Sequence, residues 1–221
     1  FTDYEKCKKN ISYKLINYEK NKDLLDDVPH IVYLDLAIVF YCLINNMDSR
    51  LKAINNSDTS SILIRNSHIK HWGVSTNDLF EVASSNTPRL LQSEIRNLSD
   101  IVKELLEEST SRTMLSIEDE NALEDCRQYP MYVLTNKLNL FGACCILYKN
   151  LLENFSDKMG SDLIIIPSSV HEVLLLADDE KYDADMLGEL INHVNRTSVS
   201  QEDVLSDHAY YYRRDLKSIT C

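Results

Sequence analysis

Alternating apolar and polar positions predict strands in the first part of the chain. In residues 10–17, NISYKLIN, the side chains of Ile11, Tyr13 and Leu15 fall on one face of an extended segment. Residues 31–44, IVYLDLAIVFYCLI, are dense in β-branched and aromatic side chains, which favour strands. A polar stretch separates them from SILIR at 61–65, as expected of a hairpin with a long loop. This part of the chain is therefore expected to be rich in β structure.

Further along, the spacing of apolar positions becomes helical. Ser75 is a candidate N-cap, since Asp78 stands three residues later in the arrangement of a capping box. Pro88 is expected to open the next helix, because proline is favoured at the first helical position. That helix would be amphipathic, and its apolar positions would be Leu91, Ile95, Leu98, Val102 and Leu105.

The second part of the chain alternates between the two patterns. Strands are predicted at MYVLT (131–135), DLIIIP (162–167) and DHAYYYRRD (207–215), the last at an edge of the sheet. Residues 141–160, FGACCILYKNLLENFSDKMG, predict one helix that ends at Gly160, and residues 183–195 predict another. This order of elements favours the α+β class, with a mainly antiparallel sheet and amphipathic helices packed on one face of it.

The apolar run DLIIIP should be a central strand, covered on both sides. The polar, acidic stretch at 109–130 is interpreted as a flexible connection. It would divide a β-rich part with two helices (1–108) from an α+β part (131–221). A single compact domain is the alternative that this pattern leaves open.

Composition narrows the classes of function. A net charge of −12 opposes binding to nucleic acid or to an anionic membrane, since phosphates would be repelled. No apolar run reaches the length of a membrane span. Six cysteines without a Cys-x-x-Cys pair predict reduced, buried thiols in the cytoplasm rather than a zinc site. Because the chain opens at Phe1 rather than methionine, we expect it to be part of a longer protein.

One polar cluster, SSVHE at 168–172, interrupts two apolar runs and raises the question of catalysis. A zinc-protease helix would need a second histidine four residues after His171, where Leu175 stands. A capping box between Ser169 and Glu172 around a single helical turn explains the cluster better, as a structural corner. The candidates for a dispersed catalytic set are Ser169, His171, Glu172, Asp207 and His208.

Two other clusters of potential metal ligands are read as structural. His68 and His71 stand at helical spacing before Trp72, yet a metal would need further ligands, which Asp78 or Glu81 could supply only by an accident of folding. The carboxylates at 178–185 lack the glycine that a calcium-binding loop requires, and they fit a solvated loop and helix start. We therefore expect neither a metal nor a cofactor.

Several blocks of the chain carry a resemblance to a known family. They are KLINYEKNKDLL, VPHIVYLDLAIVF, SILIRNSHIKHWGVSTNDLF, NTPRLL, PMYVLTN, GACCILY, MGSDLIIIPSSVHEVLLL and VLSDHAYYY. In this order they resemble the bacterial, mostly clostridial, "domain of unknown function 5688" family over nearly the whole chain. The resemblance implies that a further N-terminal segment precedes Phe1 in the intact protein. It implies no activity, cofactor or catalytic residue.

The sequence leaves two functions open, and it does not decide whether the protein is an enzyme. The leading hypothesis is a cytoplasmic, non-enzymatic module that binds or regulates another, unidentified protein, since catalytic motifs are missing and the surface is acidic. The alternative is a hydrolase that uses a dispersed set around Ser169, His171, Asp207 and His208.

Overall fold

The computed structural model describes residues 3–45, 59–109, 130–179 and 184–221. The chain forms two compact units, Phe1–Gln92 and Ser93–Cys221. The predicted acidic connection at 109–130 lies almost wholly outside the described residues, so its flexibility stays a prediction. Residues 93–97 pair with a strand of the second unit, and for that reason they group with it rather than with the first part.

The first unit is built around one long strand. β3 pairs antiparallel with β1 along one side, and with β2 and then β4 along the other. The pairing of β3 with β4 confirms the predicted hairpin, whose connecting residues 46–58 lie outside the described ranges. A 3-10 helix lies at Glu19–Asn21. The other helices and strands of this unit are α1 (Tyr4–Lys8), β1 (Ile11–Asn17), α2 (Lys22–Leu25), β2 (His30–Tyr33), β3 (Leu36–Asn45), β4 (Thr59–Leu63), α3 (Asn66–Trp72) and α4 (Thr76–Leu90).

β3 is apolar at most positions because both of its faces are covered. On one face Ala37 and Val39 pack with Leu25 and Val28, which belong to α2 and the segment after it. The other face lies under α4, where Phe80 stacks on Tyr13 with 6.2 Å between the ring centres. A strand in the middle of a covered sheet needs apolar side chains in both directions, which is the composition that the sequence shows.

α4 begins as predicted and continues further than predicted. Ser75 and Asp78 form the capping box: the Ser75 hydroxyl accepts the Asp78 N–H at 3.2 Å, and the Asp78 carboxylate accepts the Ser75 N–H at 2.7 Å. The predicted helix start at Pro88 is wrong, since Pro88 lies inside the last turn of α4. A proline so close to a helix end removes one backbone hydrogen bond and disturbs only the final turn.

The same last turn covers the outer edge of β1. The Thr87 hydroxyl accepts the Tyr13 N–H at 3.2 Å, and the Asn86 amide donates to the Ile11 carbonyl at 3.1 Å. Unpaired backbone groups on an edge strand invite pairing with another chain. Helix side chains therefore satisfy part of this edge, and they also fix α1 through a bond from Asn86 to the Lys8 carbonyl.

The second unit is a six-stranded sheet in the order β10-β9-β7-β8-β6-β5, with every neighbouring pair antiparallel. Together the two sheets confirm the predicted α+β class. A 3-10 helix lies at Gly142–Leu147. The other elements are β5 (Ser93–Asn97), α5 (Leu98–Ser109), β6 (Tyr132–Asn136), α6 (Leu151–Met159), β7 (Leu163–Ser169), β8 (Glu172–Ala177), α7 (Ala184–Thr197), β9 (Tyr210–Arg213) and β10 (Ser218–Thr220).

Two helices predicted for this unit are wrong in extent. The helix predicted from Pro88 onward is interrupted by β5, in which Ile95 pairs with Leu134 of β6. Pairing with a distant strand outweighs the local spacing of apolar residues there. The long helix predicted at 141–160 is a 3-10 helix and an α-helix, separated where Asn150 adopts a left-handed backbone at φ 62°. Its predicted end is confirmed, with Gly160 left-handed at φ 76°.

β7 is the predicted interior strand, and β9 is not an edge strand. β7 lies between β8 and β9, and β9 lies between β7 and the short outer strand β10. On one face of β7, Ile164 and Ile166 pack with Leu187 and Ile191 of α7. This contact buries the apolar face of α7 that the sequence predicted.

The opposite face of the sheet is covered as well. Ile165 lies opposite Leu175, and Leu175 lies opposite Tyr132, so the three side chains share that face. The Tyr132 ring meets Phe155 of α6 edge-on, with 5.1 Å between ring centres. The prediction that helices pack on only one face of the sheet is therefore wrong for this unit. An all-apolar β7 requires cover on both faces.

Ile165 tests the interior position of β7. Its side chain is fully buried, so Ile165→Ala should lower the free energy of unfolding by about 2–5 kcal/mol, the usual cost of such a cavity. The same change at half-buried Ile219 on β10 should cost clearly less. Urea denaturation with matched slopes measures both. A loss below about 1 kcal/mol for Ile165→Ala would contradict the described sheet order.

Candidate functional site

The polar cluster singled out in the sequence is a tight turn between β7 and β8. Ser169 pairs with Glu172, which leaves Val170 and His171 as the turn. The Ser169 hydroxyl accepts the His171 N–H at 3.0 Å. The predicted helical turn with a Ser169–Glu172 capping box is therefore wrong, because the strand pairing leaves no room for it. The serine instead stabilises a turn through the backbone two residues ahead.

The imidazole of His171 is held from both sides. Its Nδ1 accepts the backbone N–H of Phe141 at 3.2 Å, so the neutral ring carries its proton on Nε2. Nε2 lies 3.6 Å from a carboxylate oxygen of Asp203. The ring also stacks on Phe141, with 5.6 Å between centres and planes 16° apart. Both nitrogens are thus directed at groups that position the ring.

Asn136 organises the loop that meets His171. Its side chain is buried, donates to the Leu140 carbonyl at 2.7 Å, and accepts the Leu138 and Leu140 N–H groups at 3.0 and 3.3 Å. These bonds hold the loop in a form that places Phe141 in the left-handed region, at φ 53°. A non-glycine residue persists there only when its surroundings enforce it.

Gly142 allows this loop and the β7–β8 turn to approach each other. A Cβ atom at position 142 would lie 2.5 Å from the His171 carbonyl oxygen and 2.9 Å from the Asn136 nitrogen. The Thr135 hydroxyl closes the contact by donating to the same His171 carbonyl at 2.8 Å. The corner is consequently built on backbone atoms that only glycine permits.

The other two candidates form a separate group. The Nδ1 of His208 lies 3.1 Å from Asp207 and 3.3 Å from the Ser206 hydroxyl. Asn195 of α7 holds the loop by donating to the Ser206 carbonyl at 2.8 Å. The structure therefore pairs His208 with Asp207, whereas His171 is paired with Asp203, a residue that the sequence analysis did not single out. Joint action of the predicted set in catalysis stays a prediction.

Ser169 and Glu172 are the paired strand residues on either side of the turn. The Ser168 hydroxyl approaches a Glu172 carboxylate oxygen at 3.4 Å, and that contact lies beside the turn. Within the described part of the chain, the Ser169 hydroxyl and the His171 ring make no hydrogen bond with each other. A serine nucleophile needs a base within hydrogen-bond reach of its oxygen. This corner does not supply one to Ser169.

The first unit contains a second site, which the sequence analysis missed. We call it the α1 groove, a depression of about 520 Å³ beside the end of α1. Its floor is apolar and its rim is basic. The residues that line it are Lys6, Cys7, Lys9, Asn10, Cys42, Leu43, Ile44, Ile62, Arg89 and Leu90.

Arg89 lies at the groove because the fold brings the end of α4 beside the end of α1. Its guanidinium donates to the Lys9 carbonyl at 2.7 Å and to the Asn86 side chain at 3.1 Å, which ties the end of α4 to the end of α1. The cluster Lys6-Cys7-Lys8-Lys9 was the available signal in the sequence. No local pattern could show that an arginine eighty positions later completes the rim.

The floor of the groove stays uncharged. Burial, and after it the neighbouring Cys7, raise the pKa of the Cys42 thiol from an ordinary 9.0 to about 12. The Cys42 sulfur lies 3.8 Å from the Cys7 carbonyl, and both side chains are buried. Protonated cysteine behaves as a small hydrophobic residue. The floor is therefore an apolar surface across the physiological range of pH.

Comparison with known proteins gives a family and no closer relative. Residues 1–214 match the profile of a family described as a family of unknown function, DUF5688. No curated protein matches the chain. No solved structure matches it either. Among the described helices, none has the length and apolar character that crossing a membrane requires.

Gly142 gives a sharp test of the His171 corner. We expect Gly142→Ala to cost about 3 kcal/mol or more, since the new methyl group would overlap the Thr135 hydroxyl and, besides it, two backbone atoms, the His171 carbonyl oxygen and the Asn136 nitrogen. Gly188 of α7 is the matched control, because an added Cβ there meets nothing within 4 Å. Gly188→Ala should stabilise the protein by about 0.5–1 kcal/mol. Equal effects of the two changes in urea denaturation would contradict the described approach.

The raised pKa of Cys42 predicts slow reaction with a thiol reagent. At pH 8 the thiolate fraction at pKa 12 is about a thousandfold below that of an ordinary thiol, and the thiolate is the reactive form. Exposed Cys221 should therefore be labelled by iodoacetamide long before Cys42 and buried Cys144. Peptide mass spectrometry, site by site, measures the rates. Labelling of Cys42 as fast as Cys221 in the folded protein would contradict the burial of the groove floor.

Proposed function

We propose that this chain, which belongs to the DUF5688 family of unknown function, is a non-enzymatic protein-binding module whose contact surface is the α1 groove. The groove itself is the observation that carries the proposal. It combines an apolar floor with the cations Lys6, Lys9 and Arg89, in a chain whose net charge is −12. Apolar surface with charged groups at its rim is the usual composition of a site that binds another protein.

Local charge argues for a protein partner rather than a nucleic acid. Nucleic-acid binding requires a continuous basic face that neutralises many phosphates. The depression that adjoins the groove at Lys9 is lined by Glu5 and Glu81 as well as Lys8, so the basic character stops there. A small basic rim bounded by carboxylates suits a partner with few, well-placed acidic groups.

The His171 corner supports a role without catalysis. Its imidazole accepts a bond from the Phe141 backbone and faces Asp203, and Ser169 is engaged with the turn itself. A general base must reach the proton that it removes from a nucleophile. These contacts instead resemble a corner that orients two loops and whose polar groups satisfy one another.

The alternative is a hydrolase that uses Ser169, His171, Asp207 and His208. Only the contact between Asp207 and His208 favours it. Ser206, whose hydroxyl lies 3.3 Å from the His208 Nδ1, is fully buried and so closed to a substrate. Covalent labelling of Ser169 by a fluorophosphonate probe, lost in His171→Ala or His208→Ala, would support this alternative and oppose the binding module.

The proposal includes a cytoplasmic location. It is supported by the thiols of Cys7, Cys42, Cys144 and Cys145, which form no disulfide with one another. All four are buried, and Cys144 and Cys145 are neighbours in the chain. A reducing compartment keeps such thiols unpaired.

A photo-crosslinking experiment tests the proposed surface. The photoreactive amino acid p-benzoylphenylalanine is placed at Ile62, a groove residue that is 36% exposed, in an extract of the source cells. Val32 is the control, since it is 56% exposed and lies on the opposite face of the same sheet. We expect one protein to be captured at position 62 and not at position 32, and its purified form to bind the purified chain. Identical capture at both positions, or none at 62, would contradict the proposal.

A further inference from the structure

We infer that the α1 groove recognises an acidic segment of its partner, in which carboxylate side chains are interspersed with apolar ones. The inference rests on the proposed function and adds the chemistry of the partner. Its basis is the arrangement of three cations around an apolar floor, in a part of the sheet that α4 leaves uncovered.

The floor exists because α4 is shorter than the sheet face on which it lies. Tyr13 and the paired Phe40 face α4, where Phe80 stacks on Tyr13. Cys42 and Ile44 follow Phe40 at alternate positions of β3, so they point to the same face.

Beyond the end of α4 at Leu90, Cys42 is buried beside Cys7, and half-buried Ile44 is the part of that face that solvent reaches in the groove. Ile62, paired with Cys42 on β4, extends it toward solvent. Exposed apolar area of this kind gains stability when another chain covers it.

The rim supplies the charge to which the segment must be complementary. Lys6 and Lys9 stand three residues apart at the end of α1, a spacing that places them as neighbours. Arg89 stands beside Lys9, and its guanidinium is already oriented by two hydrogen bonds. A cation fixed before binding loses less entropy when a carboxylate arrives.

Carboxylates of the protein itself compete weakly for this rim. Lys6 approaches Asp3 at 3.7 Å, but the two side chains are 84% and 50% exposed. Exposed pairs of this kind are weak and exchange readily. Lys9 has no ion pair with any residue in the described ranges. The rim is therefore open to carboxylates brought by a ligand.

The number of cations favours a peptide segment over a lipid-like acid. A single aliphatic carboxylate could use one of the three cations and would leave the other two without a counter-charge. A segment with two or three acidic residues matches them all, and its apolar side chains can cover Ile44, Ile62 and Leu90. Charge complementarity of this kind determines which partner is accepted.

Selection from a random twelve-residue peptide display library tests the inference without assuming a sequence. The full chain is the immobilised target. We expect the enriched peptides to be rich in aspartate and glutamate together with leucine, isoleucine or phenylalanine. Enrichment of basic or uncharged peptides, or no enrichment, would overturn the inference.

Variants locate the binding of one enriched peptide, labelled with fluorescein and measured by fluorescence anisotropy. Lys9→Glu should weaken binding about tenfold, because an attraction becomes a repulsion. Lys70→Glu on α3 is the matched control, an exposed lysine outside the groove, and should leave the affinity unchanged. Ile62→Ser should also weaken binding. Unchanged thermal midpoints show that the variants fold. Equal effects at Lys9 and Lys70 would overturn the assignment to the groove.

Two further measurements separate this inference from the proposed function. Affinity for the enriched peptide should fall about three- to tenfold between 50 and 500 mM NaCl, as expected of exposed charges. Displacement of the peptide by micromolar dodecanoate would assign the groove to a small amphipathic acid and overturn the inference. If crosslinking at Ile62 captures a partner while the selected peptides carry no acidic residues, the binding module stands and its acidic ligand does not. If neither experiment gives a positive result, both proposals are wrong.

Discussion

The close approach of backbone atoms at Gly142 is the constraint on which the second unit's polar corner depends. The position tolerates no side chain, since the His171 carbonyl and the Asn136 nitrogen lie where a Cβ would be. Because these atoms come so near, the Phe141 N–H reaches the His171 ring and Thr135 reaches the His171 carbonyl. The polar groups of the corner are therefore satisfied by one another, and each hydrogen bond holds two loops at once.

This mutual satisfaction changes how the histidine should be understood. A half-exposed histidine next to serine and glutamate looks reactive in a sequence. In the fold, its Nδ1 has an N–H donor and its Nε2 has a carboxylate neighbour, Asp203. A nucleophile would have to displace one of these partners before it could use the ring as a base.

The α1 groove follows from another constraint, the satisfaction of a sheet edge. Asn86 and Thr87 bind the backbone of β1, which places Arg89, one turn further, at the carbonyl of Lys9. The helix then ends at Leu90, before it reaches the last apolar residues of β3. One short helix turn thus covers an edge and completes a basic rim, and it leaves the apolar side chains of Ile44 and Ile62 partly exposed in the groove.

Local signals in the sequence were sufficient where the structure is itself local. The capping box of Ser75 and Asp78, the helix end at Gly160 and the apolar strand around Ile165 follow from contacts within a few residues or from burial on both faces. Local signals failed where a distant partner decides. Ile95 has helical spacing with its neighbours, yet it lies in a strand because Leu134 pairs with it.

The candidate sites divide in the same way. The sequence by itself determined the fold class and the interior strand, because hydrophobic periodicity is a local property of the chain. Only the tertiary structure decided that Asp203 faces His171 and that Arg89 completes the rim at Lys9. Those contacts join residues far apart in sequence, and no periodicity encodes them. Their physical cause is the packing that brings separate loops and helix ends within hydrogen-bond distance.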